Sequence, residues 1–263
     1  MKNTFRHTKK LSRPLLVIFG FVSFSLPIQA QLVTPVKTGF DLAKAVIYID
    51  SGEEILVKKS ASILQQDIER VTGKKIPVVS QFEKSIRHYI IIGTTSQSPV
   101  IKALGKAGKV NLKDLHHKWE AFRVQTISGL PQQPAAKALV ITGSDRRGLS
   151  YGVFELSRQM GVSPWYWWAD VPVQKKPAIY INTSVIINDA PKVKYRGIFI
   201  NDEAPCLSNW SKEKFGGFNH HFYEKVFELI LRLKGNYLWP AMWGNAFYDD
   251  DSLNRKSADE YGI

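Results

Sequence analysis

The sequence predicts an α/β fold in two parts, and three observations carry that prediction. Strand-like and helix-like segments alternate from Gln31 to Asp189, the pattern of a sheet flanked by helices. A second strand–helix–strand series begins near Val193, after a stretch rich in proline and aromatic residues. At 263 residues, with 44% hydrophobic and 22% charged, the chain has the composition of a globular protein with a sizeable core.

In the first part, AVIYID (45–50), KIPVVS (75–80) and HYIIIGTT (88–95) read as strands, being apolar and β-branched. EAFRVQTIS (120–128) and KALVITGSD (137–145) read the same way, separated by the turn-like GLPQQPA. SASILQQDIERVTG places Leu64, Ile68 and Val71 at helical spacing with Gly73 as a stop. SPVIKALGKAG is a short helix closed by glycine, and RRGLSYGVFELSRQMG presents Leu149, Val153, Leu156 and Met160 on one face. GSDRRG lacks the lysine and the glycine spacing of a phosphate loop, so it reads as a strand-to-helix turn. Trp165, Tyr166, Trp167 and Trp168 offer flat faces for sugar rings, but four bulky aromatics in a row favour packing at a domain interface.

The second part starts with VKYRGIFI, apolar enough for a strand buried on both sides. NHHFYEKVFELILRLKG then carries Phe222, Val226, Leu229, Ile230 and Leu233 on one stripe, with Asn219 as N-cap, and NYLWPAMWG reads as a second strand. Strand, helix, strand is the unit of a (β/α)8 barrel or of an open sheet. Such a barrel takes about 250 residues, so the stretch after Lys192 supplies its first one or two units only. The expected domains are 1–30, a signal peptide; 31–189, an α/β domain; and 190–263, the truncated start of a barrel.

Residues 1–30 carry Lys2, Arg6, Lys9, Lys10 and Arg13 without an acid, then LLVIFGFVSFSL, then PIQA. These are the three parts of a secretory signal, and the apolar run is shorter than the roughly 20 residues of a membrane span. The expectation is export, periplasmic or secreted, without a stable membrane anchor. Cleavage after Ala30 removes five basic residues and lowers the formal charge from +13 to +8. No basic block alternates with aromatics, so nucleic acid is not an expected partner. Cys206 is the only cysteine, can form no disulfide within the chain and reads as structural.

Chemistry is expected where GIFINDEAP ends its apolar run in Asn201, Asp202 and Glu203, because barrel enzymes work at the C-terminal ends of their strands. Trp239, Trp243 and Asn245 follow the second strand in the same way. Adjacent strand residues point to opposite faces, so only one of Asp202 and Glu203 faces a substrate. Arg196 has the parity of Asp202 and is expected on the same side, as a partner for an anionic sugar. The adjacent pairs His116–His117 and His220–His221 do not share a helix face, and Asp249 to Asp251 lack the glycine and glutamate of a calcium loop. No metal and no cofactor is expected.

GSDRRGLSYGVFELSRQMGVSPWYWWADVPV, YRGIFINDEAP and HHFYEKVFELILRLKGNYLWPAMWGNAF together resemble the N-terminal portion of glycoside hydrolase family 115. The resemblance implies an α-glucuronidase that removes glucuronic acid or its 4-O-methyl ether from glucuronoxylan by inversion. It also implies a hexosaminidase-like first domain before the barrel, Asp202 and Glu203 as catalytic acids, and Arg196, Asn201, Trp239, Trp243 and Asn245 at the substrate. A homodimer is an assembly expected of the full-length form. Later barrel acids have no counterpart here, so the chain alone is expected to be inactive, with the stripe of its last long helix exposed. Two alternatives remain open at this stage: a carbohydrate-binding module without catalysis, and an N-acetylhexosaminidase-like enzyme.

Overall fold

The computed structural model describes residues 31–37 and 40–263; the signal peptide expected over 1–30 lies outside them. A six-stranded mixed sheet forms the first layer system. Its strands are β2 (Val46–Ile49), β3 (Val78–Val79), β4 (His88–Thr94), β5 (Phe122–Leu130), β6 (Gln133–Gly143) and β8 (Ile187–Asp189), in the order β3-β2-β4-β6-β5-β8. β3, β2, β4 and β6 are parallel, whereas β5 is antiparallel to both its neighbours. A small antiparallel pair, β1 (Val33–Thr34) and β7 (Tyr180–Ile181), lies apart from this sheet.

Strand alternation sorts the core. Ile47, Ile49, Ile90, Ile92, Leu139 and Ile141 face helices α1 (Ile55–Thr72) and α3 (Arg146–Met160), while Tyr48, Tyr89, Ile91 and Val140 face α2 (Pro99–Lys106). α1 ends at Gly73 and α3 at Gly161, both left-handed with φ of 73° and 105°, where a side chain would be strained. At the start of α3, Asp145 caps the helix by accepting from the Gly148 N–H at 2.8 Å. GSDRRG is thus a strand-to-helix turn. The expected loop GLPQQPA is shorter than predicted, because β6 already pairs at Gln133 opposite Leu130.

The second layer system is a parallel pair, β9 (Gly197–Phe199) and β10 (Tyr237–Trp239), joined through α4 (Cys206–Phe215) and α5 (His220–Arg232), with α6 (Ser252–Tyr261) following. Asn219 caps α5 as predicted, accepting from the N–H groups of His221 and Phe222. Phe222, Val226, Leu229 and Ile230 are buried, and one apolar core runs from the sheet through α1 and α3 to α5. The expected exposure of the α5 stripe is therefore corrected: α3 and α6 pack on it, and only Leu233 is exposed.

Two further expectations change. β9 is buried on one face only, since a two-stranded sheet leaves Phe199 and Trp239 uncovered on the other. Asp249 to Asp251 lie in the turn before α6, and Asp251 caps that helix by accepting from the Leu253 N–H at 2.9 Å. Cys206 is exposed at the first turn of α4 and so holds no core together. The aromatic run packs as an interface: Trp168 donates from Nε1 to Lys225 O at 3.2 Å and lies against Trp210 and Phe222.

Candidate functional site

β9 and β10 run in register, Gly197 opposite Tyr237, and the ladder continues with the Ile200 N–H donating to Trp239 O at 3.0 Å. The close approach requires Gly197, because a Cβ there would stand 2.1 Å from Tyr237 O. Ile198 and Ile200 pack into the core towards α5, and Gly197 and Phe199 turn outward. Both strands thus deliver their C-terminal ends to one place.

At that place Asp202 is buried, 1% exposed. Its Oδ2 accepts from the Trp243 N–H at 3.0 Å and from Asn245 Nδ2 at 2.6 Å. Its Oδ1 is buried with no hydrogen-bond partner among the described residues. A buried carboxylate oxygen without a donor is costly, so this geometry is poised to accept a hydrogen bond. Tyr223, fully buried, has its phenol pushed well up by burial and further by the charges of Asp202 and Asp250, against an opposing backbone bond from Ala241. It stays a neutral hydroxyl beside the acid.

The other predicted residues divide. Glu203 is exposed, whereas its neighbour Asp202 is buried, both lying beyond the last residue of β9. Trp239 and Trp243 are 50% and 64% exposed, so both present aromatic surface near Asp202. Phe199 meets Trp239 edge-on at 5.4 Å, and Trp239 Nε1 lies 3.2 Å from Met242 Sδ. Asn201 lines a groove of about 220 Å³ with Trp165, Trp168, Ile198, Leu207 and Phe222.

Arg196 is not brought to Asp202, and the expectation that the two share a pocket is corrected. It precedes β9, at the opposite end of the strand, where it donates to the carbonyls of Lys234 and Val193 at 2.7 and 2.6 Å and pairs with the buried Glu120. Equal parity does not place two residues together when the strand between them spans several residues at about 3.3 Å each. Sequence reasoning placed Met242 at the end of the second strand with Trp239, Trp243 and Asn245, and missed Tyr223, Glu120 and Asn236. Of the missed residues, only the position of Asn236 just before a strand was a visible signal.

The profile of glycosyl hydrolase family 115 matches residues 188–263. BtGH115A, described as a family GH115 4-O-methyl-α-glucuronidase with specificity for decorated arabinogalactans, is 33% identical with a TM-score of 0.72, over 88% of this chain and 29% of its own. The chain thus spans under a third of that relative's length. Weaker likenesses include Streptomyces plicatus N-acetyl-β-hexosaminidase (16% identity, TM-score 0.45, 79% of this chain and 32% of that one). Flavobacterium johnsoniae chitobiase is another (12%, 0.47, 89% and 32%). No curated protein matches the chain. The chain belongs to glycoside hydrolase family 115, and the matched segment is the one that carries β9, Asp202, α5, Trp243 and Asn245.

Proposed function

We infer that this chain supplies part of the working rim of an exported glycoside hydrolase that removes glucuronic acid or its 4-O-methyl ether from a polysaccharide by inversion. The observation that carries the reading is Asp202: one oxygen is fixed by Trp243 and Asn245, and the other is buried without a donor among the described residues. β9, α5 and β10 are on this reading the first units of a (β/α)8 barrel, whose chemistry sits at the strand C-termini. Asp202 Oδ1 accepts a hydrogen bond from a sugar hydroxyl or from the attacking water. The exposed faces of Trp239 and Trp243 pack on sugar C–H surfaces. Because Arg196 is committed elsewhere, another donor holds the uronic carboxylate.

The substrate class is a polysaccharide bearing (4-O-methyl)glucuronic acid. Family resemblance favours glucuronoxylan, and the described specificity of BtGH115A adds decorated arabinogalactan. Export rests on the basic and apolar pattern of residues 1–30. Inversion needs two carboxyl groups roughly 6.5–9.5 Å apart, and we infer that the 263-residue chain alone releases no sugar. The test compares this chain with a full-length family 115 enzyme that carries this segment, on both polysaccharides. The longer form is expected to release the uronic acid and to lose about 10²–10⁴-fold in turnover on Asp202→Asn. Near-normal turnover of that variant would return Asp202 to a structural role.

A further inference from the structure

We propose that Glu120, which belongs to the first layer system, is a positioning residue that sets the height of β9 against β10 and thereby brings Asp202 and Asn245 together. Glu120 is 1% exposed and holds a left-handed backbone with φ of 53°, uncommon for a residue other than glycine. Its conformation is held from both sides. The Glu120 N–H donates to Asp145 Oδ2 at 2.6 Å, and the same carboxylate caps α3. Gly148 of α3 lies so close that a Cβ would stand 2.4 Å from Ala121 O.

From that fixed point the carboxylate reaches the residues just before both strands. Oε1 accepts from Asn236 Nδ2 at 2.7 Å, one residue ahead of β10, and from Arg147 Nε at 2.6 Å. Oε2 pairs with Arg196 Nη2, one residue ahead of β9. Asn236 Oδ1 in turn accepts from the Arg196 N–H at 3.0 Å, and Arg196 Nη2 also donates to the Tyr151 hydroxyl at 3.1 Å. One acid therefore fixes two strand starts relative to each other. The strands are only three residues each, too few ladder bonds to set their own register firmly. At their far ends, register decides whether the Trp243 N–H and Asn245 amide meet Asp202. Every polar group in this cluster has a partner inside it, which favours a clamp over a ligand site.

The catalytic meaning of this clamp rests on the reading of Asp202 above, but its test does not. Amide hydrogen exchange is measured in the 263-residue chain, without sugar, for wild type, Glu120→Gln and Leu64→Ala. The last removes a fully buried side chain of α1 and lowers stability without touching the clamp. Glutamine replaces one of the two carboxylate oxygens by an NH₂ and so loses the bond from Arg196 at one position or that from Asn236 at the other. In Glu120→Gln, exchange at the Ile200 and Trp243 amides is expected to accelerate at least tenfold more than at Ile141 of β6, whereas Leu64→Ala accelerates all three alike. Asn236→Ala, which removes the Nδ2 donor to Glu120 and the Oδ1 acceptor of the Arg196 N–H, gives the same selective pattern and serves if Glu120→Gln does not fold. Equal acceleration at all three amides in the variants of the clamp would overturn the proposal, as would unchanged exchange at Ile200 and Trp243. Loss of the glucuronidase reading would leave both outcomes unaffected.

Discussion

Asn245 donates through Nδ2 to Oδ2 of Asp202 at 2.6 Å, joining the loop after β10 to the chain leaving β9. This bond and that of the Trp243 N–H occupy one oxygen of a buried carboxylate, whose other oxygen has no donor among the described residues. Asn245→Ala removes a bond to a buried charge and is expected to cost about 1.5–3 kcal/mol by urea denaturation. Asp202→Asn can keep both donors on its amide oxygen, so its midpoint should stay near wild type. It places an NH₂ where an acceptor stood, and titration of 4-O-methylglucuronic acid followed by tryptophan fluorescence should weaken about tenfold or more.

Gly197→Ala tests the strand pair itself. The added methyl would meet the backbone of Tyr237, which cannot move aside as a flexible side chain would. We expect a loss of about 1–3 kcal/mol and a changed near-ultraviolet dichroism from Trp239 and Trp243, read in the same denaturation series.

Arg232→Ala tests the ion group between α1 and α5. Its guanidinium meets Asp67 at 2.9 and 3.0 Å and Glu228 at 2.8 Å, and lies between the rings of Phe154 and Tyr166 at 4.8 Å each. Burial opposes its charge, but Asp67 and Glu228 outweigh burial and hold the arginine above its usual value. Removing it strands a fully buried Asp67, at a cost of about 3–5 kcal/mol. Arg70, which also bonds Asp67 at 2.8 Å, is the expected source of any smaller value.

Acid stability should depend on Asp251. The His220 N–H and ring nitrogen, with the Leu253 N–H, lower its carboxyl from 3.8 to about 2. A depressed folded-state value means a stabilising contribution present above 3.8 and lost as pH falls through about 2. Thermal midpoints measured from pH 5 to pH 2 should therefore fall more steeply for wild type than for Asp251→Asn. Glu155 works in the same direction: burial raises its value, but bonds from Arg158 and Gln159 outweigh that and lower it. Glu53 opposes it, since burial raises its carboxyl despite two bonds from Thr94, a contribution present at low pH and lost as pH rises.

Local patterns in the chain were enough to read α1, α3 and α5, the Asn219 cap, the glycine stops and the strands β2, β4, β5 and β6. Each of these depends on residues within one or two turns or a single alternation, and such information is carried by the sequence itself. α4 and α6 were missed because their apolar residues are few and both draw on distant partners, α6 through its packing against α1 and α5.

Only the tertiary structure decided which acid lies inside and what Arg196 does. Parity ranks faces but does not say which face is covered, and coverage here comes from α5 and from the loop after β10. Arg196 meets Glu120 across 76 positions of sequence, a pairing for which no local spacing gives a signal. The sequence by itself determined the elements, the family resemblance and the strand end where chemistry was to be sought. Contacts between distant segments decided the geometry at that end, because burial and hydrogen-bond satisfaction belong to the packed chain rather than to any stretch of it.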